Sequence, residues 1–419
     1  MPGLGVSPAR RIVATLAPLG LYAALALLFF GRPTGWADHV FGQGADPLAF
    51  IWFLQWWPYA IVHGLNPFVT HAVWFPDGVN LMWVTSIPFA ALISVLVTLL
   101  CGPVVAFNLL TVLAPALSGW TAFLLARELA GTWLGAVAAG YLFGFSSYEL
   151  GHLIGHLNLD LTFLVPLAVL LCVRRCRGAL GRPRFVLYLA LVLVAQLCQS
   201  TEILATLCVC GAVVWAVFLA FAPPQDGWRL WRLAGDITLT SVATAVVAAP
   251  FLFYVITGWT GTPQDINAAA VFSADPLNVI IPTTVTSFGG AMSAPIARHF
   301  TGIPPEQGAY LGLPLIVLLA LLFGRAVSRP AIRALLAAML VLLVLALGPV
   351  LHLGGGPTAI RLPWALFQTL PVLGWVLPGR ITLYVSLCAA LGAALAVLPD
   401  GAKRRGPRWA LAALACIAL

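Results

Sequence analysis

The chain has 419 residues, of which 61% are apolar and only 8% charged, with a mean hydropathy of +1.01 and a formal net charge of +8. A soluble domain carries about a quarter charged residues, so this composition excludes an ordinary water-soluble globule. The basic residues form short clusters between apolar runs rather than one patch, so no nucleic-acid partner is expected.

In hydrocarbon every backbone N–H and C=O needs a partner inside the protein, which leaves helical bundles and closed barrels. The apolar runs here are continuous rather than alternating. The expected class is therefore all-α: one transmembrane domain, a polytopic helical bundle of about ten or eleven spans. The first run, 12–30, is too long for a signal-peptide core and lacks an obvious small-residue cleavage site, so it reads as a retained span. An outer loop over 31–104 follows. Within it Trp52, Trp56, Trp57 and Tyr59 suit a helix lying at headgroup level, which Pro58 would bend or end. Asp77, between Pro76 and Gly78, reads as a turn residue. The segment 86–101 is apolar but short, and is taken as interfacial or re-entrant. Further spans are expected at 105–126, 132–146, 159–173, 185–199, 203–221, 237–257, 310–323, 334–351 and 381–398, with an incomplete one at 409–419. Two more outer loops run over 258–309 and 354–380, and Gln199 to Glu202 reads as a tight outer turn. The eight cysteines lie mainly in or beside apolar runs, as small packing residues rather than disulfide partners or metal ligands.

Arginines orient the bundle. If 86–101 does not cross, 17 of the 21 basic residues fall on one side, including Arg174, Arg175, Arg177, Arg182 and Arg184. By the positive-inside bias that side is the cytosol. The other side keeps only Arg32, Arg298, Arg361 and Arg380, with 9 of the 13 acids and all seven histidines. The ionisable chemistry faces out. An ion-coupled carrier would place such groups near the midplane and show an internal repeat, and neither is evident.

Gly44-Ala-Asp46-Pro47 in a large first outer loop, and the run from Asn108 to Gly131, resemble the GT-C class of polytopic membrane glycosyltransferases. Phe143-Gly-Phe-Ser-Ser147 is similar to that class's next outer exit. Glu306-Gln-Gly-Ala-Tyr310-Leu-Gly-Leu-Pro314 and Leu377-Pro-Gly-Arg380 resemble its bacterial YfhO-like branch. The resemblance implies an inverting enzyme of the bacterial inner membrane, with a cytoplasmic N-terminus. Such an enzyme moves a sugar from a polyprenyl-phosphate carrier to a glycan, lipid or protein acceptor on the outer side, among membrane lipids. It also implies that the family continues beyond Leu419, where this chain stops inside an apolar run. The alternatives are a transporter or flippase of a lipid-linked saccharide, and a non-catalytic partner in envelope assembly.

Such chemistry needs a carboxylate to take the acceptor proton, a cation for the departing phosphate and a groove for the lipid. Asp46 is the expected base; equally it could cap the following helix, with Pro47 at its first position. Glu149, His152, His156, Asn158 and Asp160 form a polar strip in which 149, 152 and 156 would share one helix face. The strip would contact substrate, or merely form a polar rim; its spacing permits a divalent cation without requiring one, and no cofactor is predicted. Arg380, at the start of a span, could grip a phosphate or snorkel to lipid. Glu306 and Tyr310 stand at the mouth of another span. His39, His63, His71, His299 and His352 receive no role.

Overall fold

The computed structural model describes residues 7–32, 34–258, 268–286, 288–326, 328–368, 370, 373–398 and 406–418. Lys403, Arg404 and Arg405, Pro33, the stretch 259–267, positions 287, 369, 371 and 372 of the later loops, and Leu419 lie outside the described residues.

The protein is an all-α membrane bundle. Its first helix, α1 (Pro8–Phe30), leads into the first long loop, which holds α2 (Asp46–Val62), a hairpin of β1 (Val69–Thr70) with β2 (Val79–Asn80), and two short helices, α3 (Pro88–Ile93) and α4 (Val95–Cys101). Then come α5 (Pro103–Ala130), α6 (Trp133–Gly144), α7 (Ser147–His152), α8 (Leu157–Asp160), α9 (Leu164–Cys176), α10 (Arg182–Gln199), α11 (Thr201–Phe221), α12 (Gly227–Val247) and α13 (Ala249–Thr257). The second long loop carries α14 (Gly290–Ala297). It is followed by α15 (Leu313–Ala326), α16 (Pro330–Ala346), a hairpin of β3 (Val350–Leu353) with β4 (Gly356–Arg361), α17 (Thr382–Ala396) and α18 (Gly406–Ala418).

Among the described residues seven helices are long and apolar enough to cross a membrane, and three shorter apolar ones accompany them. With α6, each of the eleven apolar runs has its helix. At the centre α17 is buried along nearly its whole length, against α6, α15 and α16. Its alanines, Gly392 and Ser386 let neighbouring backbones close in, as small residues do where lipid gives no hydrophobic drive. The same device brings α5 to α6: a Cβ at Gly119 would lie 2.8 Å from the Gly140 carbonyl oxygen. By contrast α1, α11 and α12 fully bury few of their apolar side chains, the mark of a lipid-facing surface.

Several boundaries differ from the sequence reading. The span expected at 237–257 begins ten residues earlier, at Gly227, because Arg229 and Arg232 lay their guanidinium groups over Trp228 and remain helical. It breaks at Ala248, ahead of Pro250, which cannot donate a backbone hydrogen bond. The span expected to reach 351 ends at Ala346; Gly348, at φ 77°, and Pro349 turn the chain into β3. Nor is α2 a purely interfacial helix. It runs through Pro58 to Val62, and it buries Trp56 and Trp57 against α3 and α5. Their indole N–H groups donate to the carbonyls of Pro67 (3.0 Å) and Ser86 (2.9 Å).

Candidate active site

The first loop is pinned to the bundle by one side chain. Asn108 on α5 is fully buried. Its Oδ1 accepts from the Phe41 N–H (2.8 Å), and its Nδ2 donates to the carbonyls of Trp36 (2.9 Å) and His39 (2.8 Å). Four residues further on, the Gln43 N–H donates to the Ile154 carbonyl (2.5 Å). These bonds deliver the start of α2, and with it Asp46, to the segment after α7.

Asp46 does not cap its helix. Ala45 holds the N-cap position without a side-chain bond, Asp46 is the first helical residue and Pro47 the second. The carboxylate instead faces His156, with Oδ2 3.5 Å from Nε2.

The polar strip does not form one helix face. α7 ends at His152, the chain turns through 153–155, and His156 stands before α8. Glycines allow the turn to press against its neighbours: a Cβ would lie 2.6 Å from the Pro305 carbonyl oxygen at Gly151 and 2.9 Å from that of Gln43 at Gly155. The turn brings the Nδ1 atoms of His152 and His156 to 3.0 Å, so one of them is protonated and donates to the other. With His152 as donor, His156 carries its proton on Nε2, facing Asp46.

Arg380 lies in the 3₁₀ turn Pro378–Ile381 that opens α17, between two carboxylates. Its Nε donates to both oxygens of Glu306 (3.1 and 3.0 Å), Nη2 to Glu306 Oε1 (2.5 Å) and Nη1 to Glu202. Three of the five guanidinium N–H groups are thus engaged and two remain. Glu202 was read as part of a turn. It lies instead in the first turn of α11, where its carboxylate serves the site. An acid placed just inside a long apolar run was the available signal.

Asp46, His156, Asn158, Glu202 and Arg380 line one open cavity of about 520 Å³, with Phe50, Trp52, Phe53 and Trp74 on its apolar wall. His152 and Glu306 lie just behind it: with His156 they offer one ligand atom each, all within 4.8 Å of one another. This is the trio that could hold a cation. Burial pushes the Glu306 carboxyl up, but Arg380 and the two histidines outweigh it and hold the group at about 2. Burial drives His152 down to about 3 and lowers His156 as well. The site therefore combines ionised carboxylate, neutral imidazole and a shared guanidinium.

Three of the expected residues stand apart. Glu149 is fully buried away from the cavity, accepting from the Thr162 hydroxyl, whose oxygen lies 3.0 Å from Ser118 Oγ; burial raises its carboxyl well above the usual range. Asp160 is fully buried, and neither carboxyl oxygen has a partner. Tyr310 packs in the main apolar core, and its backbone carbonyl accepts from Ser147 Oγ (3.1 Å). The sequence points Glu149 and Asp160 to substrate as members of a polar strip, and Tyr310 as a residue at the mouth of a span. Their side chains instead turn into the protein, where Thr162 and the packed core receive them.

Residues 21–419 match the family described as Domain of unknown function (DUF6311). The chain belongs to that family. No curated protein sequence matches this DUF6311 chain. Two solved structures share its architecture. The arabinofuranosyltransferase AftD from Mycobacteria superposes with a TM-score of 0.55 at 16% identity, over 96% of this chain and 26% of AftD. ArnT from Cupriavidus metallidurans, solved with undecaprenyl phosphate bound, gives a TM-score of 0.52 at 14% identity, over 95% of this chain and 62% of ArnT. The DUF6311 chain thus spans about a quarter of one neighbour and about three-fifths of the other. The fold of the DUF6311 chain is GT-C-like, as the resemblance in its sequence implies.

Proposed function

We propose that this protein is a membrane glycosyltransferase that moves a sugar from a polyprenyl-phosphate-linked donor to an acceptor on the outer face of the bacterial inner membrane. The observation that carries the reading is the convergence, in a GT-C-like fold, of Asp46, His156, Glu202 and Arg380 on one cavity walled by aromatic side chains. The motifs around Glu306 and Arg380, which resemble the YfhO-like branch, supply the two halves of an ion pair made through two guanidinium nitrogens.

In this reading Asp46 takes the proton from the acceptor hydroxyl as its oxygen bonds to the sugar's anomeric carbon. The bond from that carbon to the phosphate oxygen breaks on the opposite face. The electron pair leaves with the polyprenyl phosphate, and the anomeric configuration inverts. The two unengaged N–H groups of Arg380 meet the departing phosphate, held in place by Glu306 and Glu202. His156 orients Asp46 from 3.5 Å. The aromatic wall of Phe50, Trp52 and Phe53 accepts the lipid stem or a sugar face.

Asp46→Asn tests this, because it preserves size while removing the base. In proteoliposomes supplied with a mixed pool of polyprenyl-phosphate sugars and cell-envelope acceptors, the variant is expected to transfer roughly 10²–10⁴-fold more slowly. Transfer at the wild-type rate would remove Asp46 from that role. Absence of transfer by the wild-type chain across the donor pool would count against the enzyme itself.

A further inference from the structure

The end of the bundle away from the Asp46 cavity holds a second built site. α9 carries the chain roughly 20 Å away from the cavity, at 1.5 Å per residue, α10 returns it to Glu202, and α11 runs back to the start of α12. There a cavity of about 300 Å³ is lined by Arg175, Arg177, Trp228, Arg229, Arg232 and Asp236; beside it Arg174 and Arg177 share Glu128 and Arg229 pairs with Asp226 (3.3 Å), so six arginines, Arg182 included, face three carboxylates. Asp236 is spent: its Oδ2 accepts from Arg175 Nε (2.7 Å) and its Oδ1 from Arg182 Nε (2.8 Å).

Arg175 is the informative residue. Its side chain is only 7% exposed, Nη1 donates to the Leu180 carbonyl (3.4 Å), and Nη2 is buried with no partner. An orphaned donor on a buried cation is costly and calls for an acceptor. Around it Arg229 and Arg232 are exposed, and the first turn of α12, 21 residues long, adds its positive dipole end with no side-chain cap from Asp226. Trp228 and Trp231, 56% and 61% exposed, set this cavity at the depth where indoles meet headgroups.

We infer that this arginine cavity binds a phosphate group at the membrane surface, from an anionic phospholipid headgroup or a soluble phosphate ester. Phosphate presents the paired acceptors that a guanidinium fork matches, and its charge answers the surplus of arginine.

The test uses the full chain in detergent, titrated separately with phosphatidylglycerol, with diacylglycerol as the phosphate-free lipid, and with inorganic phosphate, binding being read by native mass spectrometry and thermal shift. The double variant R229Q/R232Q changes exposed side chains only. Arg175→Lys keeps the charge beside Asp236 while removing Nη2. Preferential binding of phosphatidylglycerol, weakened about tenfold or more in both variants (1.4 kcal/mol per tenfold), supports a lipid headgroup. The same loss seen only with inorganic phosphate supports a soluble phosphate ester. Binding that is equal in wild type and variants, or equal for phosphatidylglycerol and diacylglycerol with none for phosphate, overturns the inference. Asp46→Asn serves as the control that leaves this cavity intact.

Discussion

His152 shows how burial sets the chemistry of a single residue here. An unfolded imidazole titrates near pH 6.5, whereas burial holds His152 neutral down to about 3. The unfolded state therefore binds the proton first, and the native state loses stability as pH falls through about 6.5 and on towards the folded value. Glu306 acts in a separate window. Its carboxyl is held at about 2 in the folded protein, so its contribution is present above about 4.5 and lost only below that. Between about pH 7 and pH 5 the loss thus belongs to His152, with His156 adding to it. His152→Asn cannot titrate, and its melting temperature should fall less steeply over that interval than the wild type's. Parallel slopes would mean that folding does not hold His152 below its unfolded value.

At the level of elements, Arg380 clasps the turn before α17 to α11 through Glu202 and to the turn Pro304–Glu306 through Glu306. Removing one partner of a buried pair costs about 3–5 kcal/mol. Glu306, 3% exposed, belongs to that case. Glu202 is 22% exposed and its loss should cost less than half as much. Chemical unfolding in detergent of Glu306→Gln and Glu202→Gln checks the order, and equal losses would refute it. The elements themselves were readable in the sequence wherever one interaction dominates: α1 and α11 are unbroken apolar runs, and hydrocarbon leaves them only one conformation. The start of α12 was not readable, because Arg229 and Arg232 look like loop residues until Trp228 is seen beneath them. The site was legible in part. Asp46, His156, Asn158 and Arg380 share its cavity, but Glu202 announced nothing of its partner 178 positions later. Glu149 and Tyr310 were expected at the substrate because sequence gives depth along a span and not the direction a side chain takes around it.

For the whole molecule the arginine asymmetry makes a prediction about sidedness. The Asp46 cavity and the Arg175 cavity lie at opposite ends of the bundle, and the positive-inside bias assigns the second to the cytosol. In a cysteine-free background, a single cysteine at Arg177 should resist a membrane-impermeant maleimide in intact cells, while one at His63 should react. The reverse pattern would place the Asp46 cavity in the cytosol and remove an outer-face transfer reaction.

The ionic clasp also fixes an order of biosynthesis. Asp46, Glu202 and Glu306 leave the ribosome before the guanidinium that neutralises two of them. Until residue 380 is made, the nascent chain holds uncompensated negative charges at the edge of the bilayer, and α17, its most enclosed helix, is still to come. The Asp46 cavity thus receives its guanidinium after all of its carboxylates, and a message cut short before residue 380 yields a chain without the clasp.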